Sequence, residues 1–133
     1  MRIYLNGRYV AAEDAVVSVT DRGFLFGDGV YEVTRAAGGE LIDSPRHVRR
    51  FNRSLGEMSL SVGESGVAEM MEASRVLLRE NAIEGDALVY WQVTRGAAPR
   101  VHQFPPPGTP PTVLVSTGPV ALPHATRARG RVR

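Results

Sequence analysis

The chain has 133 residues, 43% hydrophobic and 23% charged, with a formal net charge of +2, the proportions of one soluble globular domain long enough to bury a core. So small a positive excess does not call for a nucleic-acid partner, and the absence of cysteine excludes disulfides, thiolate metal sites and a cysteine nucleophile. All 16 basic residues are arginine, so between histidine and arginine only tyrosine and the N-terminal amine titrate.

The opening residues Met1 to Asn6 are too polar for a signal peptide, and no apolar run approaches a membrane span, so a cytoplasmic protein is expected. Arg2 to Leu5 predicts a short strand. Asn6-Gly7 is a two-residue hairpin turn, because both positions accept positive φ, and Arg8 to Ala12 is the returning strand. Ala15 to Val19 reads as a third β-like piece, and Asp21 to Gly29 as a glycine-rich loop with aromatics between the glycines. Val30 to Ala36 and Glu40 to Ile42 form a hairpin about Gly38-Gly39. Ser44-Pro45 opens a helix to Glu57, with the hydroxyl as N-cap and proline at the first helical position. Val48, Phe51, Leu55 and Met58 line one face of it, with Arg46, Arg49, Arg50 and Arg53 elsewhere.

A second helix is expected over Val67 to Asn81, with Val67, Met70, Met71, Leu77 and Leu78 as its core side. Ala87 to Arg95 is dense in β-formers and reads as a central strand. A proline-rich loop from Gly96 to Pro111 leads to a last strand, Thr112 to Ser116; beyond Gly118 arginine alternates at positions 127, 129, 131 and 133. Strands around two helices predict an α+β fold with a mainly antiparallel sheet over residues 1–120.

Read by chemistry, Gly27-Asp28-Gly29 is no dinucleotide fingerprint: the third glycine is missing and a strand follows, not a helix. His47, His102 and His124 are too scattered for a metal site, and no serine sits in a nucleophile elbow. In a strand Tyr31 and Val33 point to one face and could line one pocket, although a core tyrosine is the plainer reading. Arg100 and His102, two apart in an extended loop, would fall on one side and suit a carboxylate; a solvated arginine is the plainer reading there. Charge alone does not single out Arg50 among the arginines of its helix.

Three blocks carry more than this. The stretch Asp21-Arg22-Gly23-Phe24-Leu25-Phe26-Gly27-Asp28-Gly29-Val30-Tyr31-Glu32-Val33 resembles the hallmark N-terminal segment of the class IV (fold type IV) pyridoxal-phosphate aminotransferases. His47-Val48-Arg49-Arg50-Phe51 is similar to a second segment of that family. Gln92-Val93-Thr94-Arg95-Gly96 with Pro99-Arg100-Val101-His102-Gln103-Phe104 resembles its D-amino-acid transaminase subgroup. The resemblance implies transamination of D-amino acids with 2-oxo acids by a homodimer carrying pyridoxal 5'-phosphate. It gives Arg50 to the cofactor phosphate, and it turns Tyr31 toward the active site, with Val33 beside it on the same strand face as a further substrate-binding residue. It gives Arg100 and His102, from the partner subunit, to the substrate carboxylate together with the tyrosine. A guanidinium suits such work because its planar fork makes paired, charge-assisted bonds. Branched-chain aminotransferase and aminodeoxychorismate lyase are the alternatives within the family, and the Arg100–His102 pair argues against both.

The family's Schiff-base lysine belongs to a second domain, and this chain contains no lysine. No catalytic residue is therefore expected among these residues. The chain reads as a truncated N-terminal domain, inactive alone, with 121–133 an interdomain linker or the truncated start of the second domain. Two other readings are a non-catalytic interaction module and a half-enzyme that needs a separate C-terminal partner. No metal, nucleic acid or membrane is expected.

Overall fold

The computed structural model describes residues 1–83 and 85–120. The arginine-alternating stretch 121–133, with His124, lies outside the described residues. In chain order the elements are β1 (Arg2–Leu5), β2 (Arg8–Ala11), a 3-10 turn (Ala12–Asp14), α1 (Arg22–Phe26), β3 (Gly29–Ala37), β4 (Glu40–Leu41), α2 (Ser44–Glu57), α3 (Gly66–Glu80), β5 (Ala87–Thr94) and β6 (Thr112–Pro119). The six strands make one sheet in the order β2-β1-β6-β5-β3-β4, with every pair antiparallel. The expected α+β architecture is the one observed.

The alternation along β5 builds the core. Val89, Trp91 and Val93 are buried on one face, while Leu88, Tyr90 and Gln92 point to the other. Both long helices cover the first face and meet at Trp91. From α2, Phe51 packs edge-on against the indole, with ring centroids 5.4 Å apart and planes at 67°. From α3, Ser74 Oγ accepts the indole N–H at 2.8 Å and donates to the Met70 carbonyl at 2.7 Å. That bond removes the cost of burying the one polar atom of the ring. Met70, Ala73, Leu77 and Leu78 complete the buried side of α3, so its methionines and leucines are core, as their spacing predicts. Neither long helix covers the other face of the sheet; α1 reaches only its end, at Thr94 and Gln92, and Tyr31 and Leu88 stand exposed there.

Three local expectations are corrected. Ala15 to Val19 is not a strand: its backbone makes only local bonds, such as Val16 N–H to Asp14 and Asp21 N–H to Ser18, and Val16, Val17 and Val19 are exposed. β-Branched residues without a neighbouring strand have nothing to pair with. The glycine-rich loop contains the short helix α1. Asp21 caps it by accepting from the Gly23 N–H at 2.8 Å, and Gly27 ends it at φ 66°, a left-handed position that glycine takes without strain. Ser44 is not the cap of α2. The cap position is Asp43 at φ 51°, with no side-chain bond, and Pro45 lies in the first turn. Here the exit from the β3–β4 hairpin fixes the helix start, through Ile42 N–H to Arg35 O and Thr34 Oγ1 to Ile42 O. β6 runs past Ser116 to Pro119 because β5 pairs with it along its whole length.

Gly96 closes the end of the sheet at φ +86°, where an added Cβ would lie 1.9 Å from the Pro110 carbonyl oxygen. Backbone on both sides leaves that contact no cheap relief. Gly96→Ala should destabilise the chain by about 2 kcal/mol or more, read as a lowered midpoint in thermal or urea unfolding.

Candidate functional site

Residue alternation continues upstream of β3, so that Asp28, Val30, Glu32 and Thr34 are buried while Tyr31 and Arg35 are exposed. Two carboxylates therefore stand on the apolar side of the sheet. A buried carboxylate must be neutralised or paired, and each of these is paired.

Glu32, 3% exposed, faces α2. Its Oε1 lies 2.8 Å from His47 Nδ1, and its Oε2 accepts from Arg50 Nε at 2.7 Å, while Arg50 Nη2 closes the second arm of the fork on Oε1. His47 and Arg50 are three apart on the helix, so both reach one carboxylate. Burial pushes the Glu32 carboxyl up, but the hydrogen bonds and charges of Arg50 and His47 outweigh it and hold the group below its usual value. Arg50 is held more firmly charged by the Glu32 hydrogen bond and charge, with a smaller contribution from Tyr31. The Arg50 side chain is itself 62% exposed, and its Nη1 has no protein partner among the described residues.

On the open face Tyr31 stacks on Tyr90, with centroids 5.9 Å apart and planes at 24°, and the Tyr90 hydroxyl donates to Gln92 Oε1 at 3.1 Å. Val33, half-buried, shares that face. A cleft of about 290 Å³ opens nearby, lined by Val17, Val19, Phe24, Gln92 and Leu114 among others.

The second carboxylate organises the end of the sheet. Asp28 Oδ2 accepts from Arg22 Nε at 2.8 Å and from Arg95 Nε at 2.8 Å, and all three side chains are largely buried. Burial raises the Asp28 carboxyl, and the bonds from Arg95 and Arg22 lower it further than burial lifts it. Arg95 also donates to the carbonyls of Met58 and Ser59, fixing the end of α2. Arg22 Nη1 donates to the carbonyls of Val101 at 3.0 Å and Gln103 at 3.2 Å. Asp21, 1% exposed, accepts from Thr94 at 2.9 Å and Thr112 at 2.6 Å, so α1, β5 and β6 meet on one carboxylate.

Arg100 and His102 lie in the loop that Arg22 holds. Both are exposed, and both stand beside the Phe26 ring of α1, the Arg100 guanidinium carbon 5.6 Å and the His102 ring 5.8 Å from its centroid. The structure thus brings Arg100 to His102, and Tyr31 to Val33. No hydrogen bond or ring contact among the described residues joins Tyr31 or Arg50 to that pair. Glu32, Asp28, Arg22 and Arg95 were not singled out by sequence reasoning, although acidic residues at 28 and 32, in phase with Val30 and Thr34, carry a legible signal. Among the described residues no group of three or more His, Asp or Glu side chains could hold a metal ion, and no helix is long and apolar enough to cross a membrane.

No protein-family model matches the chain. Sequence relatives do. D-alanine aminotransferase of Staphylococcus epidermidis is 40% identical over 129 residues, 97% of this chain and 45% of that protein. D-alanine aminotransferase of Staphylococcus aureus is 44% identical over 116 residues, 87% of this chain and 40% of that protein. The chain belongs to the class IV (fold type IV) aminotransferase family and matches its N-terminal domain. It spans less than half the length of these class IV relatives. The fold agrees: branched-chain amino acid aminotransferase from Escherichia coli superposes with a TM-score of 0.79 at 26% identity, covering 89% of this chain and 40% of that one.

Two measurements test the carboxylates. Ordinary values are 3.8 for Asp28 and 4.5 for Glu32, and both are lowered in the folded chain. The unfolded chain therefore binds more protons in this range, and the stability these groups contribute is complete above about pH 4.5 and lost as pH falls through the lowered values. Unfolding midpoints should drop on that acid limb, and Glu32→Gln should make the limb shallower. Asp28→Ala leaves two buried guanidinium groups unpaired and should cost about 3–5 kcal/mol, a large part of the roughly 5–15 kcal/mol typical of a domain; a wild-type-like urea midpoint would contradict the pairing.

Proposed function

We propose that this chain is the N-terminal half of a pyridoxal-phosphate-dependent enzyme that transaminates D-amino acids with 2-oxo acids, working as a homodimer in the cytoplasm. The observation that carries the reading is Arg50: a charged, exposed guanidinium with one edge locked on Glu32 and the other open. That donor set fits a phosphate. The locked edge fixes the direction of the free N–H groups, and the Glu32 charge is already met by His47 and Arg50, so an incoming anion is not opposed by a bare carboxylate.

Bound pyridoxal phosphate would supply the electron sink that labilises the bond at the amino acid α-carbon. Arg50 would bind and orient its phosphate end. Tyr31 and Val33, on the open face of the sheet, would form the wall on which the reacting centre lies. Arg100 and His102 would hold the substrate carboxylate, contributed by the partner subunit. Within one chain no hydrogen bond or ring contact among the described residues joins that pair to Tyr31 or Arg50, which supports a reading in which another copy supplies it. Val16, Val19, Phe24 and Phe104, each about three-quarters exposed, supply apolar surface for contact between copies or with a further domain.

The lysine that bonds the cofactor and carries the proton must come from outside these 133 residues, which contain no side-chain amine. Identities of 40% and 44% to two D-alanine aminotransferases, against 26% to the branched-chain enzyme, favour a D-amino-acid substrate.

The purified 133-residue chain should not transaminate D-alanine with 2-oxoglutarate. Supplying a separately expressed second domain that bears the lysine should produce activity. Arg50→Ala or His102→Ala should then lower kcat/KM by roughly 10-fold to 150-fold, the equivalent of losing one charge-assisted bond. Turnover by the 133 residues alone, or reconstituted activity indifferent to Arg50→Ala, would sink this reading.

A further inference from the structure

We propose that Arg22 is a positioning residue: it orders the loop that carries Arg100 and His102, holding both side chains out on the Phe26 ring. The inference deepens the carboxylate-binding reading of that pair and rests on it for its functional meaning.

Arg22 and Arg95 share one carboxylate, Asp28; the other buried carboxylate here, Asp21, is taken up by the Gly23 N–H, Thr94 and Thr112, so no second carboxylate pairs with either guanidinium. The donors that Asp28 does not meet need other partners, because neither guanidinium reaches bulk water freely: Arg22 is only 4% exposed. Carbonyl dipoles supply them. Arg95 takes those of Met58 and Ser59, and Arg22 takes those of Val101 and Gln103. Ring faces add to this, with the Arg22 guanidinium carbon 4.8 Å from the Phe26 centroid and that of Arg95 4.5 Å from the Phe104 centroid. The loop is therefore part of the solvation shell of a buried cation. It cannot swing away without leaving Arg22 short of partners.

The consequence for the pair is geometric. The two captured carbonyls bracket His102, and one nitrogen holds both. Phe26, which Arg22 contacts, is also the ring that Arg100 and His102 stand beside. A proline-rich loop that would otherwise sample many shapes thus presents its cation and its histidine from one fixed place. Ordering a binding loop beforehand removes an entropic cost from ligand capture. Lysine cannot replace Arg22 in this role, since a single ammonium lacks the fork that reaches Asp28 and both carbonyls at once.

The test separates the ordering of the loop from the carboxylate reading. In the wild-type chain, arginine side-chain NMR should show the Arg22 guanidinium with hindered rotation and slow hydrogen exchange, unlike that of exposed Arg49. An Arg22 signal as mobile as that of Arg49 would overturn the proposal without any variant. In Arg22→Lys, held well below its melting temperature, trypsin should cut after Arg100 about tenfold faster, as expected when charge-assisted bonds that close the loop are lost. Cleavage at the wild-type rate in folded Arg22→Lys would also overturn it. A titration with 2-oxoglutarate, followed by the His102 ring signals, tests the other reading: silence in wild type removes the carboxylate role of the pair, whereas a response weakened about tenfold in Arg22→Lys supports both.

Discussion

A carboxylate on the apolar side of a sheet must find cations, and this chain places two there, Asp28 and Glu32, four residues apart along one phase of β3 and its approach. Much of the molecule is arranged by that requirement. Asp28 draws Arg22 from α1 and Arg95 from just after β5, and through them the residues that follow α2, Met58 and Ser59, and the loop after β5. Glu32 draws His47 and Arg50 from the first turns of α2. Apolar packing around Trp91 supplies the bulk of the burial, but it is non-directional. The ionic bonds fix which loop lies against which strand end.

This arrangement separates anchoring groups from presented ones. Asp28, Arg22 and Glu32 are buried and hydrogen-bonded, whereas Arg50, Arg100, His102 and Tyr31 stand in water, each next to an anchored or stacked neighbour. Exposed charges on long side chains are usually mobile and contribute little. Here the Glu32 fork holds Arg50 at two points, and Arg22 holds the loop of Arg100 and His102 from behind. A domain built this way can keep the groups proposed to bind ligand in place before any ligand or further domain arrives.

Periodicity made most of the fold legible. The 3.6-residue stripes of α2 and α3 and the alternation of β5 each follow from one face packing on the Trp91 core. Ala15 to Val19 misled because β-propensity describes a residue's fit to a sheet, and this segment has no strand beside it. α1 was hidden because it is five residues long and its cap, Asp21, bonds Thr94 and Thr112 far along the chain. For the site, spacing could pair Tyr31 with Val33 and Arg100 with His102, but it could not choose Arg50 over Arg46, Arg49 and Arg53. Family resemblance made that choice, and the structure adds a physical distinction: of these four, Arg50 is the one bonded to a buried carboxylate. The role of Arg22 was beyond reach, since it depends on carbonyls 79 and 81 residues away.

The most direct test of the account is whether the open edge of Arg50 receives a phosphate. Pyridoxamine phosphate, which carries no aldehyde to react with the N-terminal amine, can be titrated into the 133-residue chain and followed by 31P NMR. One charge-assisted pair supports binding on the order of millimolar or weaker. The account predicts a 31P shift that begins to saturate in that range for wild type, is weaker in Glu32→Gln, and is lost in Arg50→Ala. Identical titrations for wild type and Arg50→Ala would contradict it.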